Sequence, residues 1–383
     1  MAVWLWPAAE TEPQRPNSAA DPAAATDPAP DPYLAACQTY YTAGDGREYH
    51  VFTAMTPNLY DPTTPVGYCC RLIPDGGSND FPATVMVQDA TTQEDCPEDF
   101  APLLDSWDVT VSAPEGVGRV SLREAELETA DTPALLYRRL WGDNTCTHNE
   151  IVWTLRMKNG DVLTLTQTIE LLPQEVRTYS TADTPLDTAE QLQALLDRLA
   201  EEYDADTSIT VELPDVTYDA PVSVGCAVTL KGSGTAFAAP VTVMPLSDTE
   251  RCHAYVRFSE VSFEGDGSGT GVTARAPTYL ENCRVTGWAV GGEAVTGGWL
   301  YLRGSHVADC GVGIRYNSAY SSSYTYFADK MTFVQNGTAL ELLCMPPDGY
   351  IELQGCRFHG NGTDVRNPGG YRVEQTGSTT VAL

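Results

Sequence analysis

The C-terminal half of the chain repeats one pattern five times, and that repetition limits the fold more than any other feature. Five large apolar residues mark it: Phe263, Val285, Val307, Phe333 and Phe358, spaced 22, 22, 26 and 25 residues apart. Five positions before each stands Phe258, Leu280, Leu302, Ala328 or Leu353, and two before stands Val261, Cys283, Ser305, Met331 or Cys356. Seven after the last three come Ile314, Leu340 and Val365. The turn Asn-Gly-Thr recurs at one offset, as Asn336-Gly337-Thr338 and Asn361-Gly362-Thr363. A period in the twenties defines a solenoid, whose units bury their apolar faces only against their neighbours.

Within each unit the apolar residues come in pairs two apart, such as Ile351/Leu353 and Cys356/Phe358. Period two is the signature of a strand. Short breaks holding Asn and Gly separate the pairs, and these residues tolerate the left-handed backbone of a sharp corner. Three short strands per unit make one coil of a three-faced β-helix, with equivalent residues of successive coils about 4.8 Å apart. Leucine-rich repeats share the period, but their Leu-x-x-Leu-x-Leu signature is missing. Over residues 205–383 the pattern resembles the right-handed parallel β-helix of the pectate-lyase-like superfamily. The resemblance implies a mainly β fold and a link to polysaccharides. It brings no catalytic residue, because the hydrolase pattern of Asn-Thr-Asp and Asp-Asp followed by Gly-His-Gly and Arg-Ile-Lys does not occur in this chain.

The chain of 383 residues has room for more than the solenoid. Residues 7–32 are rich in Pro, Ala and Asp and cannot form a core, so 1–32 reads as a disordered linker or stalk. The MAVWLWP ahead of it has two readings: a chance apolar start, or the outer end of a signal or membrane anchor upstream of Met1. Residues 33–180 predict a β-sandwich-like domain. Its clearest element is the hairpin around Asn159-Gly160, flanked by 152–155 and 163–166. Further strands are expected at 48–53, 67–72, 83–88, 107–112, 119–124 and 135–140. In 181–204, Leu192, Leu195, Leu196, Leu199 and Tyr203 form one helical stripe, and Thr188 with Gln191 suggests a capping box. An open solenoid needs its end covered. The helix is therefore assigned as the plug of the N-terminal mouth.

Net charge is −30, which excludes nucleic acid as a partner. From Asp204 onward there are 19 acidic and 11 basic residues, net −8, so −22 falls on residues 1–203. The 11 cysteines contain no Cys-x-x-Cys and no zinc spacing, so neither a metal nor a cofactor is expected. A disulfide within the N-terminal domain stays open.

Inward columns build the core, so function must sit on outward columns or in loops. Eight and six positions before each anchor, alternation points Tyr255, Tyr279, Trp299, Tyr301, Phe327 and Tyr350 outward. Such a row suits stacking on sugar rings; the competing reading is that another part of the protein, or a partner, covers it. One position before the anchors come Arg284, His306 and Arg357. These fit acidic sugars, since guanidinium binds carboxylate with two hydrogen bonds. The competing reading is a solvated face with incidental charge. Eight after the anchors come Glu293, Arg315, Glu341 and Arg366, an ion-pair ladder in which each exposed pair would contribute about 0–1 kcal/mol. Asp266 and Asp309 read as corner residues.

The sequence therefore describes a bacterial-type secreted or cell-surface protein that recognises carbohydrate or another surface ligand without catalysis. A polysaccharide lyase or glycoside hydrolase working over Arg284, His306 and Arg357 is the alternative, and a structural spacer is the third reading. The oligomeric state is not legible.

Overall fold

The computed structural model describes residues 32–54, 67–73, 78–112, 121–123, 134–143, 148–249, 251–319, 326–346 and 350–378. The 1–31 segment, and the stalk reading with it, lies outside the described residues.

Three parallel sheets stack the coils. The first has nine strands, from Glu175–Tyr179 and Thr207–Glu212 to Arg372–Thr376. The second and third have seven each, from Thr217–Tyr218 to Arg357–His359 and from Val222–Val224 to Thr363–Arg366. Seven coils each give one strand to each sheet, Glu175–Tyr179 and Arg372–Thr376 add one more at either end of the first, and each strand pairs with its equivalent one coil away. This is a parallel β-helix, as the repeat predicts.

The expected register holds throughout. Phe263 pairs with Val285, Val285 with Val307, Val307 with Phe333 and Phe333 with Phe358. Phe237 extends the column by one coil. Phe263, Val285, Val307 and Phe333 are buried. Phe358, on the strand at the end of the second sheet, is half-buried. Several corners need positive φ. Glycine supplies it at Gly287, Gly304, Gly355 and Gly360, but Glu260, Asn282, Asp309, Lys330 and Gln335 adopt it too, at φ 53° to 59°. The stacked coils over-determine these corners enough to hold non-glycine residues there.

At one corner the repeated Asn-Gly-Thr forms a ladder. Asn361 Oδ1 accepts from Asn336 N and from Asn336 Nδ2, each at 3.0 Å. Asn336 Oδ1 accepts from Cys310 N at 3.1 Å, and its Nδ2 donates to Val307 O at 3.0 Å. Asn361 Nδ2 donates to Phe333 O at 3.2 Å. The glycines beside them permit close stacking: a Cβ on Gly337 would lie 2.5 Å from Gly311 O. Asn361→Ala leaves several of these groups unpaired and is expected to cost about 1–3 kcal/mol, read as a lower urea midpoint. An unchanged midpoint would mean that water replaces the ladder at no cost.

The helix Ala189–Glu202 closes the N-terminal mouth. Thr188 and Gln191 form the capping box, and Leu192, Leu195, Leu196 and Leu199 are buried in the solenoid core. Gln193 bonds the exposed edge of the third sheet like an added strand. Its Oε1 accepts from Ser223 N at 2.7 Å, and its Nε2 donates to Ser223 O at 2.9 Å. This satisfies backbone groups that would otherwise invite association.

Ahead of the helix, nine strands form two sheets. The five-stranded sheet has the order Gln38–Thr42, Glu48–Ala54, Ser78–Asp89, Ala134–Asp143, Ser121–Arg123. The four-stranded sheet has the order Tyr68–Ile73, Val162–Pro173, His148–Met157, Leu104–Ser112. Val51, Val85 and Val87 of one share a core with Ile151, Trp153, Leu165 and Ile169 of the other, which is the arrangement of a sandwich. The chain leaves it at Gln174, whose N–H donates to Ile73 O at 2.9 Å and whose side chain reaches Ala205 O at 3.4 Å. The next strand, Glu175–Tyr179, already pairs with Thr207–Glu212 of the solenoid. Ten of the eleven cysteines are described and all ten are free thiols, Cys37, Cys69, Cys70 and Cys96 of the N-terminal domain included. Burial pushes the Cys283 thiol up to about 12 and those of Cys69 and Cys356 to about 11, as expected of small core hydrophobes.

Candidate ligand-binding face

The outward geometry of the aromatic row needs correction. Trp299 is fully buried and Tyr301 nearly so, at 5 % exposure. Trp299 opens its strand directly after the turn at Gly297-Gly298, where Gly297 has φ 86°. At this corner alternation no longer fixes direction, and the indole stacks on buried Tyr316 at 4.5 Å and 28°. The Tyr316 hydroxyl donates to Leu300 O at 2.8 Å, holding the phenol under the indole. Tyr301 lies flat on Tyr279, at 4.5 Å and 14°. Phe327 keeps its place in the strand pairing, while its side chain lies outside what the structure describes.

What remains of the row is partly closed on itself. Tyr255 is 36 % exposed and meets Tyr279 edge to face at 5.2 Å. The Arg257 guanidinium lies over both rings, at 5.3 and 5.2 Å, and 3.7 Å from Glu281. Half-buried Tyr350 carries Arg372 over its ring at 5.0 Å. Each exposed ring therefore already has a cation on it.

The ladder on the third sheet forms as expected, with one difference. Arg315 bridges Glu293 at 3.8 Å and Glu341 at 2.5 Å, and Arg366 bonds the other oxygen of Glu341. Glu341 is only 2 % exposed, so the value for a surface pair does not apply to it. Two guanidiniums share its charge.

The second sheet presents a different surface. Its anchors point inward, so the residues on either side of each point out. Ser262, Arg284, His306, Thr332 and Arg357 stand in register on five successive strands. Arg284 and Arg357 are exposed; His306 and Thr332 are half-buried. His359, on the other side of the Phe358 anchor, is also exposed. Sequence reasoning passed over it, although the alternation that turns Arg357 outward turns His359 outward too. Among the described residues, no carboxylate lies within 4.0 Å of Arg284, His306, Arg357 or His359. Elsewhere Arg47, Arg177, Arg251, Arg303 and Arg372 each hold a carboxylate. Two arginines and two histidines thus share this face, in a chain of net charge −30, with no carboxylate beside them among the described residues.

Asp309 sits beside this line in a left-handed corner, at φ 54°. Asp266 accepts from Ser268 N at 3.0 Å and from its hydroxyl at 2.7 Å, and these bonds hold its carboxyl below the ordinary value. Both are placed as turn residues. Among the described residues, no group of three His, Cys, Asp or Glu side chains is positioned to hold a metal, and no helix is long and apolar enough to cross a membrane.

No family model matches the chain, and no curated protein matches it. Among solved structures, a family 28 exopolygalacturonase of Yersinia enterocolitica matches at 9 % identity, over 75 % of this chain and 70 % of that one, with a TM-score of 0.23. Likeness at that score carries no argument. The assignment as a parallel β-helix protein rests on the strand register itself.

Proposed function

We propose that this is a non-catalytic recognition protein, secreted or held at the cell surface, whose β-helix binds an acidic glycan on the outer face of its second sheet. The division into a sandwich module at 33–180 and a solenoid at 205–383, joined through the capping helix, belongs to the same reading. One observation carries it: Arg284, His306, Arg357 and His359 share an outer face and, among the described residues, lack carboxylate partners in a strongly acidic chain. Guanidinium groups left in this state suit the carboxylates or sulfates of a polysaccharide. The aromatic face is the weaker candidate, because Trp299 and Tyr301 are buried and Tyr255, Tyr279 and Tyr350 each have an arginine over the ring.

The test is calorimetric binding of a polyuronate and of a neutral glucan to the full chain. The polyuronate should bind and the glucan should not. Replacing Arg284 and Arg357 together by Ala should weaken binding at least about tenfold, by the loss of two charge-assisted contacts, and leave the melting temperature unchanged. Equal binding by the double variant would sink the assignment. Unsaturated or reducing ends released from the polyuronate would replace it with the lyase or hydrolase reading.

A further inference from the structure

The sandwich domain carries a separate row of side chains on the outer face of its five-stranded sheet. Tyr40, His50 and Gln88 stand in register on three neighbouring strands, and Asp95 bridges to Gln88 from the turn beyond. Val51 and Val87, next to His50 and Gln88 in their strands, point into the core, so the row points out. At about 4.8 Å per strand it spans about 14 Å. The Tyr40 ring lies parallel to the His50 imidazole, at 4.8 Å and 17°. The imidazole stands 4.7 Å from the ring of buried Phe52, and its Nε2 donates to Gln38 Oε1 at 2.8 Å. Burial holds the His50 pKa below its ordinary value, so the ring is neutral near pH 7. Gln88 Nε2 donates to Asp95 Oδ1 at 3.1 Å. Tyr40 is 60 % exposed, more than any other large hydrophobic residue among those described. The stack below it fixes its ring as a flat apolar platform.

The far end of the row opens on a depression. Asp95 lines it together with Pro97, Glu98, Ala134 and Leu135, around a volume of about 630 Å³. Among the described residues, no basic side chain lies within 4.0 Å of Asp95 or Glu98. Arg47, the cation of this corner, is taken by Asp89 and Asp99. We propose that the row binds a short oligomer of amino sugars across the strands. One pyranose lays its C–H face on Tyr40, and the ammonium group of a unit about two rings farther on meets the Asp95 carboxylate at the mouth of the depression. The neutral His50 between the two contacts does not repel the ammonium group. A polyuronate is turned away by Asp95 and Glu98, and a neutral sugar leaves the Asp95 charge without a partner. This site lies on another domain than the second-sheet face and does not depend on what that face binds.

The test is calorimetry on the full chain with the glucosamine trimer, its N-acetylated form and trilysine. The glucosamine trimer should bind one to one, and the other two at least about tenfold more weakly. Tyr40→Ala should weaken the glucosamine trimer about fivefold or more, with the melting temperature unchanged because the ring is largely exposed. Tyr40→Trp keeps a platform and should retain binding. Asp95→Asn should cost about tenfold. Tyr40→Ala leaves the net charge at −30, so a general attraction of cations to an acidic chain is the same in both proteins. Equal binding of the glucosamine trimer by the wild type and by Tyr40→Ala would therefore overturn the site, as would no binding at all. Trilysine bound as tightly as the amino sugar would overturn the sugar assignment. None of these outcomes touches the second-sheet reading, which stands or falls with polyuronate binding and the Arg284/Arg357 variant.

Discussion

Trp299→Ala is expected to destabilise the β-helix by about 3–5 kcal/mol and to leave binding of an acidic glycan unchanged. The indole is fully buried and stacked on Tyr316, itself fully buried. Its removal leaves a void beside a phenol whose hydroxyl is fixed to Leu300 O, so the phenol cannot swing in to fill it without breaking that bond. Burial also raises the Tyr316 pKa above the ordinary phenol value. The urea midpoint and polyuronate affinity are measured on one preparation. The opposite pattern, intact stability with lost binding, would return the aromatic row to the role its outward register suggested. Tyr255→Ala is the control: its ring is partly exposed at the edge of the row, and the loss should be far smaller.

The contrast at Trp299 shows what the sequence could and could not convey. Period and alternation specify which residues share a column, because a strand turns its side chains over every two residues and coils stack like on like. The anchor column, the Asn336/Asn361 ladder and the ion-pair order from Glu293 to Arg366 are therefore legible. Alternation gives the direction of a Cβ and says nothing about what covers it. Tyr301 points where expected and is buried all the same. Glu341 holds its expected partners, yet its burial depends on surroundings no column reveals. In the N-terminal domain, hydrophobic strands were visible singly, but their order was not. Tyr68–Ile73 pairs in parallel with Val162–Pro173 from far along the chain, and nothing local encodes that choice. Two strands escaped notice. Gln38–Thr42 and Glu175–Tyr179 have few apolar residues, and their extended state comes from the neighbours they pair with. The second-sheet arginines and His306 are legible as a column, but that no described carboxylate stands beside them is visible only in three dimensions.

Phe333→Ala is expected to cost about 3–5 kcal/mol, and Phe358→Ala distinctly less, although the two rings are stacked partners in one column. The rings lie 5.0 Å apart at 12°, so each loses the same mutual contact when the other is removed. They differ in what lies on the far side. Phe333 is fully buried, with Val307 one coil below and Phe358 one coil above. Phe358 is half-buried, and the second sheet ends at its strand. In a solenoid, stability is close to a sum of coil terms and nearest-neighbour interfaces. Phe333→Ala weakens two interfaces inside the array. Phe358→Ala weakens one interface between strands of this sheet, at the last of its described strands. Hydrogen exchange separates the two effects. Phe358→Ala should speed exchange in Arg357–His359 and Thr363–Arg366 only. Phe333→Ala should also speed it in His306–Ala308, on the inner side of the cavity. Equal losses from the two substitutions, with the same exchange pattern, would mean that the last coil is as tightly held as those within, and that something beyond the described strands covers Phe358.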